Sequence, residues 1–182
     1  MSNHIFPVAD AFTHVECDSI IALGETGKAE AAPLWTGSGY GVDRSGRDVR
    51  TALRGRDAET AWLFDRLDAL FERAGEALGL AVGPLTEPLQ ILRYDEGCHF
   101  QRWHTDGGLD RIEARLISVS VELSEPGDYE GGLLEIVPEL VGRPRTLKRG
   151  GAMFFPSRAL HRLAPVTRGT RHALVGWTGG AA

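Results

Sequence analysis

The hydrophobic rhythm of the chain changes once, near Pro84. Before that point apolar residues recur at helical spacing: Leu63, Leu67, Leu70, Phe71, Ala74 and Leu78 share one face, which predicts a helix stopped by Gly79. An earlier helix is predicted through Val15, Ile20, Ile21 and Leu23, capped by Thr13 or Asp10 and ending between Gly24 and Gly27. Between them, residues 36–55 are Gly-rich, with Trp35 and Tyr40 near the start, and read as strand fragments and mobile loop. From Pro84 onward, short runs of Val, Ile, Leu and Phe alternate with Gly, Pro and Asp turns. The predicted strands are Leu89–Tyr94, Phe100–His104, Leu116–Leu123, Leu133–Val137, Thr146–Lys148, Ala152–Phe155, His161–Val166 and His172–Trp177. Strands at this density indicate a β-sandwich or barrel, with the helical N-terminal third covering one face.

Composition narrows the class without naming a function. At 182 residues, with 42% hydrophobic and 25% charged positions, the chain has the make-up of a globular protein and the size of one domain. The expected organisation is a single domain over 1–182, with 1–83 as helical support and loop region and 84–182 as the β core. There is no internal repeat. The net charge of −5 argues against a large nucleic-acid footprint, although Arg is frequent between Arg44 and Arg56. Two cysteines, Cys17 and Cys98, give neither a disulfide framework nor a cysteine zinc site, which fits a reducing compartment. The first ten residues lack the apolar core of a signal peptide, and no run approaches the roughly 20 apolar residues of a membrane span. The expected location is the cytoplasm, with no membrane partner.

Chemistry enters with a His-Thr-Asp step, His104 to Asp106. Alone it is weak, because a surface turn explains it equally well. Residues 104 and 106 have the same parity, so both side chains reach one sheet face wherever the strand persists. His161 opens a later strand. Two imidazoles and one carboxylate are the donor set of a non-haem Fe(II) site that keeps coordination positions open. Arg171 follows ten residues on, in a final strand whose same-face residues are Ala173, Val175 and Trp177. An arginine aimed into an apolar barrel needs an anion. That anion is either an organic acid or an internal carboxylate. His4, His14, His99 and His172 read as ordinary residues, and His172 has the opposite parity to Arg171.

Three segments carry a resemblance: QILRYDEGCHFQRWHTD at 90–106, DYEGGLLEI at 128–136 and FFPSRALHRLAPVTRGTRHALVGW at 154–177. The stretch they mark out, from Leu89 to Trp177, is about half the chain. They resemble the prolyl-4-hydroxylase-like iron and 2-oxoglutarate dioxygenases, and among these the small bacterial PKHD-type hydroxylases. The resemblance implies a double-stranded β-helix, the jelly-roll barrel also found in cupins. It implies Fe(II) held by His104, Asp106 and His161, which then form the catalytic set. Arg171 would grip the distal carboxylate of 2-oxoglutarate, with Tyr94 as a second contact and Ser118 and Ser120 lining the pocket. Gly131 and Gly132 would let backbones pass closely, a simple tight turn being the equal alternative. O2 is the implied co-reactant, and ascorbate a candidate reductant. Glu122 departs from the pattern, since many relatives carry an aromatic residue there; no role is assigned to it.

The activity so implied is hydroxylation of a C–H bond, with release of succinate and CO2. Candidate substrates are a peptidyl or free amino acid or a related small metabolite. Candidate contacts are Trp103, Tyr40, Arg47 and Arg50, with Trp35 and the stretch Gly107–Arg111 near the same mouth. Repair of alkylated nucleic acid is an alternative, against which stand the acidic charge and the lack of a further arginine between Leu174 and Trp177. A cupin-like metal- or ligand-binding module without oxidase chemistry is the other, and it leaves Arg171 and Tyr94 without work. Barrels of this kind commonly pair, so a homodimer stays open.

Overall fold

The structure is a computed structural model that describes residues 5–26, 30–31, 34–35, 40–107, 114–137 and 147–181. The side chains at 30, 31, 34, 35 and 40 fall outside that description, as do residues 108–113. Trp35 and Tyr40 are thus placed by backbone only, and Gly108 to Arg111 lie outside the described residues.

In chain order the elements are β1 (Phe6–Val8), α1 (His14–Glu25), β2 (Glu30–Ala31), β3 (Leu34–Trp35), β4 (Tyr40–Gly41), β5 (Arg50–Arg54), α2 (Ala61–Leu78), β6 (Leu89–Tyr94), β7 (Phe100–His104), β8 (Arg115–Glu122), β9 (Tyr129–Gly131), β10 (Leu134–Ile136), β11 (Ala152–Pro156), β12 (His161–Leu163), β13 (Val166–Gly169) and β14 (Arg171–Gly179).

Both predicted helices form. In α1, Thr13 and Glu16 make a reciprocal capping box, worth about 1 kcal/mol by analogy with other N-caps. The helix runs past Gly24 because that position faces β6: a Cβ there would sit 2.6 Å from Ile91. α2 ends at Gly79, whose φ of 71° only glycine adopts cheaply. Its apolar face, with Leu63, Phe64, Leu67, Leu70 and Phe71 all buried, lies against the sheet, where Phe71 meets Phe154 edge-on at 5.1 Å.

Seven antiparallel strands form the major sheet, in the order β1-β11-β8-β14-β6-β5-β2. One face is covered by the helices. The core there joins Leu89, Ile91, Ile117, Val119, Val121, Phe154 and Leu174 to the apolar sides of α1 and α2. The other face looks into the barrel, closed by a three-stranded sheet β10-β12-β7 and the pair β13-β9. Strand pairing sets the interior: Arg171 lies opposite Tyr94, Ala173 opposite Leu92 and Glu122, Val175 opposite Ser120, and Trp177 opposite Ser118. Alternation therefore sorts these residues from their neighbours, which face the helices. This is a double-stranded β-helix.

Within the stretch read as strand fragments and loop, residues 50–54 form strand β5, which pairs with β6 along its whole length. Two expectations are corrected. The predicted run His161–Val166 is broken into β12 and β13, because Pro165 has no N–H to donate and the Ala164 amide turns to Leu133 O. Leu147 and Lys148 lie in no strand, and Thr146 lies outside the described residues. Among the described residues, no helix is long and apolar enough to cross a membrane.

Candidate metal and cosubstrate site

His104 ends β7 and His161 begins β12, and the two residues pair directly across the small sheet. The two rings stand 4.2 Å apart. Each Nδ1 lies 2.9 Å from a carbonyl of its own strand or turn, Arg102 O for His104 and Ala159 O for His161. A carbonyl accepts only, so Nδ1 carries the proton in both rings and each Nε2 presents a lone pair. Both Nε2 atoms face Asp106, His104 at 3.9 Å from Oδ1 and His161 at 3.4 Å from Oδ2. One donor atom from each of the three residues falls within 4.8 Å of the others.

The surroundings suit a divalent cation. Burial, and then the facing His161, push His104 down to about 4, so the ring is neutral at physiological pH. Burial pushes Asp106 up, but His161, His104 and hydrogen bonds outweigh it and hold the carboxyl below its usual value. The result is a neutral His104 beside an ionised Asp106, which together with the His161 imidazole make up the donor set of an Fe(II) site.

Asp106 is held from the major sheet. Its amide donates to Ser157 O at 2.8 Å, while Ser118 Oγ donates to its Oδ2 at 2.8 Å and lies 2.9 Å from Ser157 Oγ. Trp177 Nε1 is buried nearby without an acceptor in bonding geometry. Ser118 and Ser157 are both fully buried, so neither hydroxyl is easily turned by solvent. Phe100 stacks on the His104 ring at 3.6 Å and 12°, and Phe155 meets the His161 ring at 4.9 Å.

Farther along the same interior face lies Arg171, with a side chain 5% exposed. Its Nε donates to Glu122 Oε2 at 2.9 Å, and Tyr129 OH donates to the same oxygen at 3.0 Å. The Ser124 amide donates to Glu122 Oε1 at 3.2 Å. The rings of Tyr94 and Tyr129 lie 5.8 and 5.9 Å from the guanidinium. Burial pushes the Tyr94 phenol up, against Arg47 and Arg171, so it stays a donor. Gly132, at φ 58°, packs under the arginine, and a Cβ there would lie 3.0 Å from Arg171 Cδ. Gly131 comes as close to the β12–β13 turn: its Cβ would lie 2.4 Å from Pro165 O.

The model of the family described as the 2OG-Fe(II) oxygenase superfamily matches residues 89–179, half of the chain. The chain belongs to the 2OG-Fe(II) oxygenase superfamily. Among curated proteins it is similar to PKHD-type hydroxylases: 40% identical over 98 residues to one from Picosynechococcus sp., covering 53% of this chain and 44% of that protein. A second, from Parvibaculum lavamentivorans, is 34% identical over 142 residues, covering 75% of this chain and 64% of that protein. The matched part thus spans less than two thirds of these relatives. Among solved structures, a Pseudomonas putida prolyl-4-hydroxylase superposes with a TM-score of 0.74 at 18% identity, covering 100% of this chain and 95% of that one. A Trichoplax adhaerens prolyl hydroxylase in complex with a peptide fragment of the hypoxia inducible factor gives 0.76 at 20% identity, covering 98% and 84%. At such identities these two speak for the fold alone. The cofactors of this superfamily are Fe(II), 2-oxoglutarate and O2.

Within this oxygenase barrel, the candidate substrate contacts separate by face. Arg47 comes to the site: its guanidinium lies 4.7 Å above Phe100, itself stacked on His104, and its Nη2 donates to Gln90 at 3.0 Å. The turn that carries it is docked on β7, where the Arg102 amide donates to Gly46 O. Trp103 does not come to the site. It has the parity opposite to His104 and packs on the outer face under Arg162, at 4.6 Å. Arg50 also points away, paired across from Arg93 beside a cavity of about 240 Å³ that includes Ile21, Glu25 and His172 in its lining. Ser118, expected to line the pocket beside the cosubstrate, donates its hydroxyl to Asp106. Sequence reasoning missed Ser157, Phe100 and Tyr129, whereas Glu122 is the internal carboxylate that stood as one alternative partner of Arg171. Only Phe100 carried a signal, since it shares the parity of His104.

Proposed function

We propose that this chain hydroxylates a C–H bond of an amino-acid residue, a free amino acid or a related small molecule, converting 2-oxoglutarate and O2 to succinate and CO2. One observation carries the reading. Two imidazoles with their Nδ1 protons tied to carbonyls turn both Nε2 atoms on one carboxylate, in the same barrel that buries Arg171. A binding module accounts for the three ligands but leaves Arg171 only its ion pair with Glu122. The peptide complex of the Trichoplax neighbour adds support for a peptide-like substrate.

His104, Asp106 and His161 would hold Fe(II). Bound there, the iron supplies the oxygen chemistry that couples decarboxylation of 2-oxoglutarate to oxidation of the substrate. The chain's own part is positional. Ser118 keeps Asp106 oriented, and the strand carbonyls keep both histidines in the ligating tautomer. Arg171, with Tyr94, offers charged and neutral donors to the far carboxylate of 2-oxoglutarate and fixes which end meets the metal. The apolar barrel walls limit water at the reacting end. Arg47, above Phe100 at the mouth, supplies a positive group to an incoming substrate.

Anaerobic titration of the metal-free protein with Fe(II) and then 2-oxoglutarate tests this. The expected result is a weak visible charge-transfer band that is absent in Asp106→Ala and needs much more 2-oxoglutarate in Arg171→Ala. Iron binding with no band at any cosubstrate concentration would leave a metal-binding module in its place.

A further inference from the structure

Among the described residues, Glu122 is the one carboxylate buried against the arginine that the reading above gives to 2-oxoglutarate. Its side chain is 4% exposed. It takes Arg171 Nε and Tyr129 OH on one oxygen and the Ser124 amide on the other, and so is fully engaged. Among the described residues, Nε is the only nitrogen of the guanidinium that makes a hydrogen bond within bonding geometry. The terminal nitrogens make no such bond, and the Tyr129 hydroxyl lies close enough to support the arginine's charge. A distal carboxylate that reaches the terminal nitrogens must share a single positive charge with Glu122, inside a protein interior where like charges a few ångströms apart repel strongly.

We propose that Glu122 is a resident counter-ion that sets cosubstrate affinity: it neutralises Arg171 in the empty barrel and weakens binding of the distal carboxylate of 2-oxoglutarate through the same charge. It acts through Arg171 and is a positioning residue. The proposal rests on the reading that Arg171 receives 2-oxoglutarate.

Glu122→Gln isolates the charge. The amide oxygen can take the place of Oε2 and still accept from Arg171 and Tyr129, giving up only the longer bond from Ser124. Binding is measured anaerobically with Fe(II) present, by calorimetry and by the charge-transfer band, for 2-oxoglutarate and for 2-oxopentanoate, which lacks the distal carboxylate. Glu122→Gln is expected to tighten 2-oxoglutarate about tenfold or more, the order that removal of one like charge near a shared cation gives. It is expected to leave 2-oxopentanoate and Fe(II) affinity within about twofold, since neither meets the altered charge. In turnover the gain appears in KM for 2-oxoglutarate rather than in kcat.

Unchanged or weaker 2-oxoglutarate binding in Glu122→Gln, with Fe(II) affinity intact, overturns the proposal. So does equal tightening of both ligands. Should Glu122→Gln fail to fold, the wild-type chain supplies the test: 2-oxopentanoate then binds within about tenfold of 2-oxoglutarate, because the shared arginine gives little of the gain of a free charge pair. A much larger ratio defeats the idea. Failure of the wild-type protein to bind 2-oxoglutarate at all instead defeats the oxygenase reading, a separate outcome.

Discussion

At the scale of single residues, the site is built on protonation and on who holds whom. His104 is kept neutral by burial and by His161, with its pKa pushed down to about 4 from an ordinary value near 6.5. In the metal-free protein the unfolded chain therefore binds a proton that the folded chain refuses, wherever pH lies between these values. Stability must fall as pH drops from about 6.5 toward 4, and His104→Gln should flatten that slope. His172, lowered by burial and Arg93, adds to the same window, so His172→Gln is the control to subtract. Thermal melts across the window, with chelator present, give the comparison; an unchanged slope in His104→Gln would contradict the assigned protonation state. Ser118 acts on a ligand rather than on the cosubstrate. Ser118→Ala leaves Asp106 Oδ2 without its hydroxyl donor, and Fe(II) affinity should fall roughly 10- to 100-fold, as for other partners of metal ligands. Loss of 2-oxoglutarate affinity with iron affinity intact would return the residue to its first assignment.

At the scale of elements, two glycines decide how close β9 and its turn come to their neighbours. Gly131 stands at φ 75° with Pro165 O where a Cβ would go, and Gly132 at φ 58° lies against Arg171. Gly131→Ala should destabilise by roughly 1–3 kcal/mol, from the left-handed backbone and the clash with fixed backbone together. Gly132→Ala should cost less in chemical denaturation yet weaken 2-oxoglutarate binding, because the atom that must yield belongs to a side chain of the site. Much of this element layer was legible in the sequence. The α2 stripe is long and regular, and Thr13 with Glu16 spells a cap. The Gly-rich composition of 36–55 allowed strand fragments to be expected but not placed; β5 is a five-residue strand specified by its pairing with β6 rather than by its own pattern. Parity separated Arg171 from His172 correctly, and the same rule applied to Trp103 would have sent it outward with Arg162. The partnership of Glu122 with Arg171 joins residues 49 apart in the chain, and no local pattern announces it.

At the scale of the whole molecule, the metal site lies where the two sheets must stay in register. His104 and His161 belong to the small sheet, while Asp106 is bonded through Ser118 and Ser157 to β8 and the end of β11 in the major sheet. The helix-covered core lies on the other side of the major sheet, with Phe154 packed on Phe71. Damage there should therefore lower stability without reaching the site: Phe154→Ala should cost about 3–5 kcal/mol in denaturant unfolding, with the Fe(II) affinity of the folded protein retained. Metal binding should do the reverse. A cation gripped by both sheets binds the native chain alone, so at a hundred times its dissociation constant it should stabilise by about 2.7 kcal/mol. For a chain of this length that is a rise of roughly 5–10 °C in Tm. Anaerobic melts with Fe(II), or in air with Mn(II), should show the shift, and EDTA should reverse it. Asp106→Ala should lose the shift completely, whereas Arg171→Ala should keep it and lose only the further rise on adding 2-oxoglutarate. A metal-induced shift that survives in Asp106→Ala would mean that the cation binds elsewhere, and the three-residue site would have to be abandoned.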